Sequence, residues 1–420
     1  MGNKMRIGPF HVAIYVALQL VVTFGAYISS NVSQQLYLYS LLVCQLFGYC
    51  YIYVLKNGRR AEITLGQVWA RAIFRALNFV LVFGMLLGVI NFIDGRNEFG
   101  VTFTYFILSI FQLLVIHAGY RCAVYNYWPN MRQILIIGAV MESVHGFVRY
   151  LGDSIGYRSS IGLSREGFWT LFYGRKFLFL FVFAGVLFVA ATGGMRTAVA
   201  TIIFYLLLLF LSSERIRKKA RRRLVFMFLF LAVFGPIGIT TLLSMDRGIF
   251  PPMMQVTLTR FESTFSSTPN NTIEDGRDVE WRSVNFEIDQ NGVWLDHIFG
   301  RGVGFTYLNE RTMQRETHIH LAVPRILSRY GYVGLIIFFG GALFISICSF
   351  LEVLKYNRFD LVKLGFLHSF VYFLFFGEDV FMSFWFLFGA ALGSCFNSHF
   401  ETNKTKRSPA IIKDKTVRSG

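Results

Sequence analysis

The chain has 420 residues, of which 54% are hydrophobic, 47 are Phe and only 15% are charged, and its mean hydropathy is +0.50. Soluble domains carry about 25% charged residues, and here long apolar runs recur from end to end, which excludes a soluble enzyme on a single anchor and leaves a polytopic membrane protein. The formal net charge of +17 is the Lys and Arg excess that gathers in cytoplasmic loops, and it requires no nucleic-acid partner.

Apolar runs at 8–30, 33–55, 73–93, 101–118 and 134–150 predict the first five membrane helices, at about 20 residues per crossing. The first could pass for a signal peptide, but it lacks a clear small-x-small cleavage site and reads as a retained helix. Runs at 177–193, 197–213 and 223–245 follow. The basic clusters KNGRR (56–60), SERIRKKARRR (213–223) and NKTKRSPAIIKDK (403–415) belong on the cytoplasmic side. Parity then requires one more crossing before Arg196. Its candidate is YRSSIGLSREGFWTLFYGRK (157–176). Arg165 and Glu166 would each cost roughly 2.5–3.5 kcal/mol at a helix centre, so that segment must be shielded by protein or re-entrant.

The same parity places the long segment from Asp246 to Val323 outside; it holds 11 of the 24 acidic residues and no lysine. Within it, TIEDGRDVEWRSVNFEIDQNG predicts a helix capped at Thr272, with Trp281, Val284 and Ile288 on one face and Gly292 at its end. FGRGVGF (299–305) predicts a glycine-rich turn, a weak signal for phosphate binding. The last crossings are 333–351, 363–377 and 379–396. The expectation is an all-α, polytopic integral membrane protein. It has about 12 transmembrane helices and one large external loop between the ninth and tenth. Its parts are an N-terminal bundle (1–245), the external loop with its amphipathic helix (246–323), C-terminal membrane helices (324–398) and a disordered cytoplasmic tail (399–420). The five cysteines fall in or beside apolar runs and suggest neither a disulfide framework nor a metal site.

Chemistry concentrates in RETHIHLAVPRILSRYGYVG, Arg315 to Gly334. Pro324 fits the first turn of a helix, so His318 and His320 precede it in extended chain and point the same way. The free N–H groups and positive partial charge of that helix end favour an anion. Arg325 and Arg329 share one helical face. A histidine beside a bound anion is placed to act as a general base; the plainer alternative is that both histidines bond loop backbone. A zinc site needs further ligands, and only Asp296–His297 lies near, so no metal is expected. On the same side of the membrane lie Arg158, Arg196, Arg277 and Arg282. Guanidinium forks from separate segments suit a pyrophosphate; headgroup snorkelling is the ordinary reading for Arg282, Arg325 and Arg329.

The run GRDVEWRSVNFEI…HIFGRGVGF…HIHLAVPRILSRYGYVGLIIF resembles the core of the bacterial O-antigen polymerase and O-antigen ligase superfamily. That family carries an Arg-x-x-x-hydrophobic helix, a G-x-G-F turn, H-x-H-N-x-x-L, and E-x-G-x-x-G before a membrane helix. The matching residues are Arg277 with Trp281, Gly302 with Gly304, His318 with His320, and Gly331 with Gly334. TGGMRTAVA is similar to the family's T-x-S-R-x-A helix start and marks Arg196, and YRSSIG is similar to its R-x-x-G segment and marks Arg158. Leu321 stands where the family usually has Asn, and Met195 where it has Ser.

The resemblance implies a metal-independent glycosyltransferase with no cofactor, in the bacterial cytoplasmic membrane with its site on the periplasmic face. The donor is a polyprenyl-pyrophosphate-linked oligosaccharide in the lipid bilayer. The implied partners are a chain-length regulator and a repeat-unit flippase. His320, supported by His318, is the implied proton acceptor; Arg196, Arg277 and Arg158 are the implied pyrophosphate ligands, and Arg325 joins them by its place at the helix start. Polymerisation of repeat units and ligation of the glycan to lipid A–core both remain open. A secondary transporter is a third reading, with Glu142 and His145 as its best feature, but it would place its charges near the midplane in paired repeats, and none is seen.

Overall fold

The computed structural model describes residues 7–28, 34–55, 65–151, 178, 181–182, 276–310, 312–317, 319, 321–356, 360–376 and 382–395. Among them the chain is mostly helical. Its apolar runs form α1 (Ile7–Ile28), α2 (Gln34–Val54), α3 (Leu65–Ile93), α4 (Phe99–Val124) and α5 (Trp128–Leu151). Toward the end of the chain come α8 (Ala322–Tyr356), α9 (Leu361–Phe376) and α10 (Met382–Ser394). Among the described residues three helices are long and apolar enough to cross a membrane: Val68–Ile93, Phe99–Val124 and Ala322–Leu354. At 1.5 Å per residue the first two reach ~39 Å, more than the ~30 Å hydrocarbon core. The runs at 157–176, 197–213 and 223–245 and nearly all of 177–193 lie outside the described residues, as does the tail.

The centre of the bundle is α10, whose residues from Met382 to Ser394 are all buried. A helix that is apolar all round needs neighbours on every side, and α10 is surrounded by α2, α3, α4, α8 and α9. Its approach to α4 is closest where glycines face backbone. A Cβ on Gly119 would stand 2.0 Å from the Phe386 carbonyl oxygen, and one on Gly389 2.0 Å from that of Ile116. Small residues of this kind let membrane helices pack by van der Waals contact. Aromatic rings fill the other side: Phe373 stacks on Phe384 at 4.5 Å and Phe366 on Phe388 at 4.8 Å.

The chain before α8 forms α6 (Gly276–Asn291), α7 (Trp294–Phe299) and an antiparallel hairpin of β1 (Tyr307–Asn309) and β2 (Gln314–Glu316). The described residues are mostly helical, as the all-α expectation has it, and this hairpin is a small addition to the helices. Its strands are three residues each, too short for an alternation pattern to declare itself. Helix α6 ends where Gly292 predicts: a Cβ there would meet the Ile288 carbonyl oxygen at 2.1 Å. The proposed cap, Thr272, lies outside the described residues. The buried face is also shifted from expectation. Glu280, Ser283, Val284, Glu287 and Ile288 are buried, whereas Trp281 is 36% exposed. Val284 and Ile288 join Phe305, Tyr307 and Ile319 in a small core separate from that of the bundle. That core draws α6, the glycine turn, β1 and the residues before α8 into one unit.

Candidate functional site

Helix α8 is broken near its start. Gly331 has φ 62° and ψ −163°, far outside the helical region, in a conformation that side-chain-bearing residues rarely adopt. The break leaves the carbonyls of the preceding half-turn without their usual i+4 donors. The glycine-rich turn supplies the replacements. The Arg301 N–H donates to the Ser328 carbonyl at 2.7 Å and the Gly302 N–H to that of Arg329 at 3.1 Å. One residue further, the Val303 N–H donates to the Gly84 carbonyl of α3 at 2.9 Å. The fit leaves no room for side chains: a Cβ on Gly302 would lie 2.1 Å from the Gly88 nitrogen, and one on Gly331 2.2 Å from the Ile298 carbonyl oxygen. Asn91 closes the joint by donating to the Arg301 carbonyl at 2.8 Å. The N–H groups of 301–303 are thus engaged by protein carbonyls. FGRGVGF is the glycine-rich turn that the sequence predicts, and it docks α8 against α3.

The short half-helix Ala322–Tyr330 carries Arg325 and Arg329, each 3% exposed. They do not snorkel toward headgroups; Arg282, in contrast, is exposed on α6. The Arg325 guanidinium donates to the Ile319 carbonyl. Arg329 lies over the Tyr105 ring of α4, 4.2 Å from its centroid, and the Tyr105 hydroxyl donates to the Thr317 carbonyl at 3.4 Å. From the other side, Glu280 of α6 accepts the Leu321 N–H at 3.3 Å. The Thr317–Leu321 chain is therefore held at alternate residues, by α4, by the half-helix and by α6. His318 and His320 alternate in sequence with these anchored positions and lie outside the described residues, as do Arg158 and Arg196. Arg277 falls in the first turn of α6, three residues before Glu280.

Sequence reasoning passed over buried polar residues beside this segment. Arg301, in the glycine turn, is 6% exposed. It faces Glu287 at 3.6 Å and Asp296 at 3.8 Å. Burial lowers its pKa below the ordinary arginine value and the two carboxylates oppose that shift, so it stays cationic. Asp296 also accepts the Val293 N–H at 3.0 Å, and His297 stands 3.7 Å from Asp289. Tyr307 donates to Glu316 at 3.2 Å; burial, with Glu280 and Glu316 nearby, pushes its pKa far up. The signal for Arg301 was its position, a lone charge in an apolar, glycine-rich run. Nothing in the sequence pairs Tyr105 with Arg329, which are distant along the chain.

Compared with models of protein families, with curated proteins and with solved structures, the chain has no match.

Proposed function

We propose that this protein is a membrane glycosyltransferase that polymerises polyprenyl-pyrophosphate-linked oligosaccharide repeat units into a surface polysaccharide. The observation that carries the reading is the convergence of three separated segments with family-like patterns. The helix bearing Arg277, the Gly302–Gly304 turn and the histidine-bearing chain before Gly331 share one small core and one set of hydrogen bonds. The buried guanidinium groups of Arg325 and Arg329, each paired within the protein, hold that chain at the start of the broken helix α8.

In the proposed reaction an acceptor sugar hydroxyl attacks the anomeric carbon of the donor glycan. The new carbon–oxygen bond forms as the bond to the pyrophosphate breaks, and the lipid pyrophosphate leaves with the electron pair. The hydroxyl proton passes to His320, with His318 in support. Charge builds on the leaving pyrophosphate, and preorganised guanidinium groups of Arg277, Arg196 and Arg158 stabilise it most in the transition state. Arg325 orders the chain next to the histidines through Ile319. The donor's polyprenyl tail lies in the bilayer, which is why the chemistry belongs at helix mouths on the periplasmic face of a bacterial cytoplasmic membrane.

The test is a reconstituted assay with a synthetic polyprenyl-pyrophosphate glycan. A ladder of lengthened lipid-linked glycans is expected. Transfer of a single glycan to lipid A–core with no lengthening would make the protein a ligase, and no turnover of any lipid-linked donor would overturn the reading.

A further inference from the structure

A second polar site lies beside the histidine segment. The turn between α3 and α4, α6, the glycine turn and β2 enclose a cleft of about 520 Å³, inside the roughly 300–1,000 Å³ of small-ligand sites. Its charged and amide groups are Arg96, Asn97, Glu98, Glu287, Arg301 and Arg315. Asp296 stands behind it, 3.9 Å from Arg96 and 3.8 Å from Arg301. Three guanidinium groups thus meet three carboxylates, and the site is electrically balanced.

Arg301 and Glu287 form its floor, with side chains only 7% and 8% exposed. Their 3.6 Å separation exceeds the about 2.7–2.9 Å of a direct charge-assisted hydrogen bond. Among the described residues the buried Arg301 Nε has no hydrogen-bond partner, which is costly if nothing fills the role. The cleft therefore offers donor capacity from the arginines and acceptor capacity from the carboxylates, side by side on one floor.

That pairing selects a ligand. A phosphate or pyrophosphate would meet Glu98, Glu287 and Asp296 at close range. A metal ion would meet three guanidinium groups, and an apolar ligand would leave the floor unsatisfied. Neighbouring hydroxyls on a sugar ring each donate and accept at once, which matches alternating guanidinium and carboxylate groups. The Phe305 ring, buried in the small core 5.5 Å from the Arg301 guanidinium carbon, backs the floor and helps hold that guanidinium in place. We infer that this cleft binds an uncharged saccharide unit of a glycan chain. The inference rests on the glycosyltransferase reading and adds to it a grip on sugar residues distinct from the grip on pyrophosphate. Arg315 links the two places, since it lines the cleft and lies two residues before Thr317 in the anchored chain.

The test uses the full-length protein in lipid nanodiscs. The probe is the neutral oligosaccharide fraction released by mild acid from the surface polysaccharide of the organism that encodes the chain. Inorganic pyrophosphate serves as a competitor. Saturable oligosaccharide binding is expected, with affinity at least tenfold weaker in Arg96→Gln and in Arg315→Gln. Both residues are exposed at the rim, so each variant is expected to keep its thermal midpoint; Arg301→Lys is a third variant that keeps the buried charge but loses the fork. Pyrophosphate should leave the binding unchanged. No saturable binding by the unaltered protein, unchanged affinity in both rim variants, or displacement by pyrophosphate would each overturn the inference. Turnover of a lipid-linked donor is measured on the same samples. Glycan binding without any turnover sinks the reaction and keeps the cleft, whereas turnover with unchanged glycan affinity in the rim variants sinks the cleft alone.

Discussion

Arg329 holds its guanidinium 4.2 Å from the centroid of the Tyr105 ring, and the hydroxyl of that same ring reaches the Thr317 carbonyl at 3.4 Å. One tyrosine of α4 thus shields a buried cation on one side and fixes the histidine-bearing chain on the other. Removing the ring should cost more than removing the hydroxyl. A desolvated cation–π contact is worth about 2 kcal/mol, and a neutral hydrogen bond about 1 kcal/mol. Tyr105→Ala is therefore expected to lower the thermal midpoint of the purified protein well below that of Tyr105→Phe. Equal midpoints would mean that the ring does not stabilise Arg329.

The glycines of the docking turn give a graded series. Gly302→Ala and Gly331→Ala each force a side chain into a positive-φ position with backbone at 2.1–2.2 Å. Strained positions of this kind cost about 1–3 kcal/mol before any overlap is counted. Both variants should show reduced yield of folded protein and new protease cutting within 276–310. Gly340, in the unbroken part of α8, has nothing within 4 Å of a Cβ, and Gly340→Ala should be neutral or stabilising by about 0.5–1 kcal/mol. Limited proteolysis of the three variants side by side makes the comparison, and equal behaviour would contradict the docking geometry.

Tyr307 carries a pH signature. Its folded pKa is raised above the ordinary value of 10.0 by burial and by Glu280 and Glu316. The folded state therefore holds this proton at pH values where the unfolded chain has lost it. The resulting contribution to stability is complete below pH 10 and falls as pH rises above it. Tyr307→Phe removes the titration along with the hydrogen bond to Glu316. The variant is expected to be less stable at pH 8 and to lose less further stability between pH 10 and 12 than the unaltered protein. Denaturant midpoints at both ends of that range decide it, and parallel slopes would show that Tyr307 titrates normally.

The proposed chemistry separates histidine from arginine. His320→Ala should retain donor binding and lose turnover by roughly 10²–10⁴-fold, the usual contribution of a general base. Arg277→Lys keeps the charge and loses the two-point fork, so it should resemble Arg277→Ala, with weakened donor binding and turnover together. Measuring binding and product formation separately on the lipid-linked glycan gives both answers. Normal rates in both His318→Ala and His320→Ala would make the histidines structural; Glu280, which already accepts the Leu321 N–H, would then be the candidate base. Full activity in Arg277→Lys would reduce that residue to a positive flank.

What the sequence determined by itself is the part governed by transfer free energy along the chain. Runs such as 73–93 and 101–118 are apolar over a membrane's thickness and coincide with α3 and α4, because burying such a run in lipid or protein outweighs any local preference. Gly292 as the end of α6 was equally legible, since a helix stop is a local conformational matter. Only the tertiary structure decided what Gly331 does: its positive φ is useful because the turn at 300–303 is there to take the freed carbonyls. It also decided that Arg329 is covered by Tyr105 and not by headgroups, and that Trp281 leaves the buried face while Glu280 and Glu287 join it. Helical periodicity places apolar residues inward, whereas these carboxylates are buried because they have partners on other elements. Leu321 is Glu280's partner and Arg301 is Glu287's. Pairings between separate elements leave no trace in local pattern, and for that reason the helices could be read from the sequence and the polar site could not.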